Sequence, residues 1–118
     1  MQPRLNQHCK KNIHVIGDAS NAGAMPKSGY SANSEAKICA TNIVALMSGK
    51  ETTEMSGINT CYSAITAKET VSVAGVYTVK EGKIISVPGS GGVSPDLSEV
   101  ETVYASSCMK NILTEMST

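Results

Sequence analysis

The sequence predicts an α+β fold: a strand–loop–helix unit, then a small antiparallel sheet, then a C-terminal helix. Three observations carry this. A β-branched run, Ile13-His-Val-Ile16, leads straight into Gly17-Asp18. Apolar residues then recur at helical spacing between Ser28 and Ser48. Further on, alternation from Val71 to Val79 is followed by Lys80-Glu-Gly-Lys83, a hairpin signature, and a short return to Val87.

Taken in order, residues 1–11 are a polar lead-in with Arg4, His8, Lys10 and Lys11, without the apolar run of a signal peptide. Ile13, Val15 and Ile16 are expected to form a short strand, and residues 18–27 a loop. A helix runs from about Ser28 to Ser48, with Ala32, Ala36, Cys39 or Ala40, Ile43 and Met47 as a thin apolar stripe. Gly49 is its stop, and Cys39, on the stripe, reads as a small buried hydrophobe. The polar stretch 49–57 marks a boundary between a cofactor-contacting part, 12–50, and a second part, 58–118. Strands are expected from Thr60 to Ala67, Val71 to Val79 and Lys83 to Val87, then a Gly-rich connection from Pro88 to Pro95. The last helix starts at Asp96, with Glu99 three residues on as a capping-box variant. Val100, Tyr104, Cys108 and Ile112 share one side of it.

Composition narrows the function classes. Ten basic and ten acidic side chains give zero formal charge and no basic stripe, which argues against nucleic acid as a partner. No stretch has the length of a membrane span. At 118 residues there is one domain at most, and with no Phe or Trp its core rests on Val, Ile, Ala and Met. Small chains bury proportionally less, and aromatic burial is worth the most per residue. Such a chain suits a piece of a larger protein. The four cysteines, at 9, 39, 61 and 108, form no Cys-x-x-Cys pair and no zinc spacing with histidine. His8-Cys9 with His14 reads as a solvated tail, and no metal is expected.

The motifs with chemistry lie in the first unit. A strand ending in Gly17-Asp18 offers close backbone approach and a carboxylate at the edge where open sheets bind ligands. The competing reading is that Asp18 caps the next helix. Gly29, Ser31 and Ala32 keep the first helical turn free of bulk, so its N–H groups and the helix dipole attract negative charge, with Lys27 beside them. Gly89-Ser-Gly-Gly92 lacks both the third glycine of a dinucleotide fingerprint and a P-loop lysine, and reads as a flexible surface connection.

The Gly17-Asp18 turn with Gly23-Ala-Met-Pro-Lys-Ser-Gly-Tyr-Ser-Ala-Asn-Ser34 resembles the flavin-binding segment of flavocytochrome c sulfide dehydrogenase and the related sulfide:quinone oxidoreductases. Asn59-Thr-Cys-Tyr-Ser63 and Val87-Pro-Gly-Ser-Gly-Gly-Val93 look like the sulfide dehydrogenase branch, and the likeness extends from about Asn12 to the C-terminus. It implies a fragment of an FAD-dependent disulfide-oxidoreductase-like protein. Gly17, Asp18, Ala19, Lys27, Ser28, Gly29 and Tyr30 would contact FAD, Asp18 holding the ribityl chain. Cys61 would be half of a redox-active disulfide whose partner lies outside these 118 residues. The full protein would oxidise sulfide and pass electrons to a c-type cytochrome subunit in the periplasm, an N-terminal flavoprotein half supplying the pyrophosphate fingerprint. Two departures stand out. No cysteine segment for covalent flavin attachment is present, and Cys108 stands where the family tends to carry Trp. The alternatives are the quinone-reducing branch and a non-catalytic remnant that does not bind flavin alone.

Overall fold

The computed structural model describes residues 12–117. Along them run a 3-10 turn at Gly17–Ala19, helix α1 (Gly29–Met47), strands β1 (Gly57–Ala64), β2 (Thr70–Lys80), β3 (Lys83–Ser86) and β4 (Gly92–Val93), and helix α2 (Glu99–Met116). The strands form one antiparallel sheet with β2 at its centre. β1 follows one side of β2, and β3 then β4 share the other. The α+β class is therefore met.

The β2–β3 hairpin closes at Glu81-Gly82, with φ of 51° and 78°. Positive φ at both central residues is the type I′ geometry, whose twist suits the flanking strands. β1 starts at Gly57 and stops at Ala64, three residues short of the expected end. It stops there because the N–H groups of Ile65 and Thr66 both donate to the Glu69 carbonyl, which closes a turn. Register and alternation put Gly57, Asn59 and Cys61 on one face with Tyr77, Gly75 and Val73, and Tyr62 and Thr70 on the other.

Helix α1 has the expected ends. Ser28 Oγ accepts the N–H of Ser31 at 3.0 Å. At the other end Gly49 N donates to Leu46 O and Lys50 N to Ala45 O, the paired bonds of a Schellman stop. The expected stripe is half-buried at Ala32, Ala36, Cys39 and Ile43, but the fully buried side chains of α1 lie beside it. Ser31 and Glu35 are buried, whereas Met47 is 83% exposed. Asn42 clamps the following segment to the helix, its amide bonding both the N–H and the carbonyl of Thr53.

Other expectations are corrected. Ile16 is extended, but residues 13–16 are not a strand of the sheet. α2 is capped by Ser98, not begun at Asp96: Ser98 Oγ accepts the Val100 N–H at 3.2 Å. Ser98 is held extended there by a two-bond bridge to Thr70. On α2, Cys108 and Ile112 are half-buried, but Val100 and Tyr104 are exposed, so the inward side is rotated from the expected one. The Gly-rich connection is stitched to β2. Ser90 Oγ accepts the Val76 N–H and donates to Val87 O, and β4 pairs with Val73 and Ala74. A Cβ on Gly91 would stand 2.5 Å from Ala74 O, so only glycine allows that approach.

Met25 and Met55 are the buried hydrophobic residues among those described, and both lie against Gly57. The other buried side chains are polar: Ser20, Ser31, Glu35, Asn59 and Thr70. His8 and Cys9 of the proposed tail lie outside the described residues.

Candidate functional site

Of the buried polar side chains, Ser20 and Glu35 gather beneath the Gly17-Asp18 turn, Ser31 and Asn59 meet beside the start of α1, and Thr70 lies on the opposite face of the sheet. Gly17 adopts φ +69°, the left-handed region that favours glycine. Its N–H donates to Glu35 Oε2 at 2.5 Å, and the Ser20 hydroxyl reaches the same oxygen at 3.3 Å and Gly17 O at 2.8 Å. Glu35 lies four residues after Ser31 on α1, one turn further along the same face. A buried carboxylate requires such donors, because an unpaired one would be expelled or neutralised. The turn is thus fixed from below, and Asp18 itself is exposed above it.

Asp18 does not cap α1, since Ser28 does. Lys27 Nζ donates to the Asp18 carbonyl at 2.5 Å, so the cation is tied to the turn. The cap takes up the N–H of Ser31, which leaves those of Gly29 and Tyr30 outside the helix's own ladder. Gly29 is exposed, with open space where a Cβ would be. Gly17, Asp18, Lys27 and Ser28 meet around a cavity of about 60 Å³, floored by Ser31 and Glu35. That volume suits a few waters and not a flavin ring. The donors for a larger ligand are those on its rim. Ala19, Gly29 and Tyr30 do not line the cavity.

Cys61 joins the Ser31–Asn59 group from β1. Asn59, buried two residues earlier, accepts from Ser28 Oγ and Ser31 Oγ and donates through Nδ2 to Cys61 Sγ at 3.3 Å. The start of α1 and the Cys61 sulfur are therefore linked through one amide. Cys39, Cys61 and Cys108 are free thiols, each half-buried. Glu35 and Asn59 escaped the sequence reading, although each stands at a legible spacing: i+4 from Ser31 on a helix, i−2 from Cys61 on a strand.

On the other face of β1, burial pushes the Tyr62 phenol above its ordinary 10.0, with charge on Cys108, Glu101, Tyr30 and Tyr104 adding to the effect. Cys108 therefore stands near Tyr62, where the resemblance expected an indole. Among the described residues no group of three or more His, Cys, Asp or Glu is placed to hold a metal. No helix among them is long and apolar enough to cross a membrane.

Residues 54–116 match the family described as flavocytochrome c sulphide dehydrogenase, flavin-binding. The chain belongs to this family. The match takes in β1 with Asn59 and Cys61, the whole sheet and α2. Its flavin is FAD, and the family is that of an oxidoreductase flavoprotein. The matched segment does not reach the turn and helix start at 17–30. The groups there are of a kind a flavin could use: an exposed lysine and an exposed carboxylate beside a glycine turn, and a helix start whose first N–H groups lie outside the helical ladder.

Proposed function

We propose that this chain supplies the flavin wall and one reacting sulfur of a sulfide dehydrogenase. Gly17, Asp18, Ala19, Lys27, Ser28, Gly29 and Tyr30 would hold FAD. Asp18 accepts hydrogen bonds from ribityl hydroxyls, while the N–H groups of Gly29 and Tyr30, with Lys27, favour electron density on the ring. FAD supplies the two-electron acceptor. Cys61 is one half of a disulfide with a cysteine outside this chain. Hydrosulfide attacks one sulfur, a new S–S bond forms to the substrate, the old S–S bond breaks, and the other sulfur leaves as a thiolate carrying the electron pair. The second half of the flavoprotein brings the pyrophosphate site, and a c-type cytochrome subunit in the periplasm takes the electrons onward.

The observation that supports this reading is the family match across β1, in a fold where Cys61 is hydrogen-bonded to the start of α1 through Asn59. The test is rapid mixing of the FAD-loaded flavoprotein containing this chain with sulfide, following flavin bleaching. Cys61→Ser should abolish most of the bleaching, because serine forms no disulfide. Bleaching at the native rate would remove Cys61 from the reaction. Asp18→Ala should weaken FAD retention by about 1.5–3 kcal/mol for each charge-assisted bond lost, and unchanged retention would remove Asp18 from the flavin site.

A further inference from the structure

Asn59 and Cys61 leave the same face of β1, two residues apart. The Asn59 side chain is 2% exposed and engaged on both sides. Ser28 Oγ stands 2.5 Å and Ser31 Oγ 2.9 Å from Oδ1, and Nδ2 stands 3.3 Å from Cys61 Sγ. The direction of the amide follows from Ser28. Its oxygen already accepts the Ser31 N–H as the cap of α1, so its hydrogen faces Asn59 and needs an oxygen there. A separation of 2.5 Å is also an O–H···O spacing, too short for N–H···O. With Oδ1 facing two hydroxyls, the NH₂ group faces the sulfur; the neutral thiol can also donate to Oδ1, at a longer 3.7 Å, a bond the thiolate cannot make.

We propose that Asn59 is the positioning residue of Cys61: it fixes the direction of the sulfur and donates to it whenever it carries charge. This rests on the reading of Cys61 as a reacting sulfur. Thiol sulfur is a weak acceptor, whereas a charged acceptor makes a markedly stronger hydrogen bond. The same donor therefore does little for the neutral thiol and much for the thiolate, the form that leaves and attacks in disulfide exchange. Ser28 and Ser31 act at one remove, by denying the amide any other orientation.

The experiment is alkylation of Cys61 in the 118-residue chain by iodoacetamide over a range of pH, with peptide mass spectrometry separating Cys61 from the other cysteines. Asn59→Asp, close to isosteric, replaces the donor with a like charge and should slow alkylation at neutral pH by about tenfold. The gap should close in alkali, where thiols ionise without help. Ser31→Ala keeps both Asn59 and the cap and should slow it about twofold at neutral pH, again with closure in alkali. A merely structural role gives the opposite pattern, since a loosened strand exposes Cys61 and speeds alkylation at every pH. Native rates in both variants, or faster rates throughout, overturn the proposal. If Asn59→Asp does not fold, Ser31→Ala decides alone. Sulfide-dependent bleaching tests Cys61 itself. Failure there, with the alkylation pattern intact, would sink the redox reading and leave the assignment of Asn59 standing.

Discussion

Helices α1 and α2 are nearly equal in length, 19 and 18 residues, and both begin at a serine cap, yet they relate to the sheet in opposite ways. α1 turns a polar face inward. Ser31 and Glu35 are buried, and each is bonded to a segment remote in sequence, Asn59 or the Gly17 turn. α2 buries no residue. It is tied by polar contacts, the Thr70–Thr102 hydroxyl pair near its start and the Lys37–Glu115 ion pair near its end. Its Val100, Val103, Met109, Leu113 and Met116 face outward. A helix that builds a site is fixed by directional bonds. A helix that leaves so many apolar side chains in water is only partly packed.

The contrast makes graded predictions. The largest effect should come from Glu35→Ala, which strips the half-buried Gly17 N–H of its acceptor and the Ser20 hydroxyl of one of its two. We expect a loss of about 3 kcal/mol in urea unfolding followed by far-ultraviolet circular dichroism, with Glu35→Gln losing about half as much. A loss under about 0.5 kcal/mol would mean that the turn is held by something other than α1.

Next, Thr70→Val removes one hydroxyl from the tie to α2 while keeping the shape of the side chain. Thr102 still donates to the Lys68 carbonyl, so no buried donor is orphaned and the loss should be about 1 kcal/mol. If this substitution cost as much as Glu35→Ala, the two helices would not differ in the way described.

Leu113→Gln, at an exposed position of α2, should change stability by no more than about 0.5 kcal/mol in the same urea unfolding. A loss above about 1 kcal/mol would show that α2 is packed through Leu113.

The smallest effects are those of pH, and their signs differ. The Lys37 bond, then that of Asn33, holds the Glu115 carboxyl below its ordinary 4.5. The folded state thus binds that proton more weakly, and the contribution is present above pH 4.5 and lost as pH falls below it. Lys37→Met should flatten this acid limb in unfolding midpoints. Tyr62 is raised above 10.0, so the folded state holds its proton more tightly. Its contribution is complete below pH 10.0 and is lost as pH rises past that value. Tyr62→Phe should remove that alkaline limb.

Much of the fold was legible. The Gly49 stop, the Glu81-Gly82 hairpin, the three main strands and the course of α1 from Ser28 each follow from local chemistry, and each was found within a few residues of its expected place. The cysteine and the glycine turn were also visible. What was not legible was direction. Hydropathy aimed α1 through Ala32, Ala36, Cys39, Ile43 and Met47 and α2 through Val100, Tyr104, Cys108 and Ile112; Met47, Val100 and Tyr104 are exposed and the others only half-buried. The stripe rule assumes that the inside is apolar. Here the described interior is mostly polar, so the rule found the inward sides only in part.

The sequence by itself determined most of the elements, their approximate extents and the chemical groups available, because caps, turns and strand periodicity are decided by neighbours a few residues apart. Only the tertiary structure decided which groups meet. Glu35 reaches Gly17 across 18 residues, and Ser28 and Ser31 reach Asn59 across 31 and 28. Ser28, Asn59 and Cys61 become one hydrogen-bonded unit only once β1 is laid against the start of α1. A hydrogen bond needs its two atoms within about 3 Å and aligned. No local pattern carries that information, because the alignment is set by how the whole sheet and helix pack.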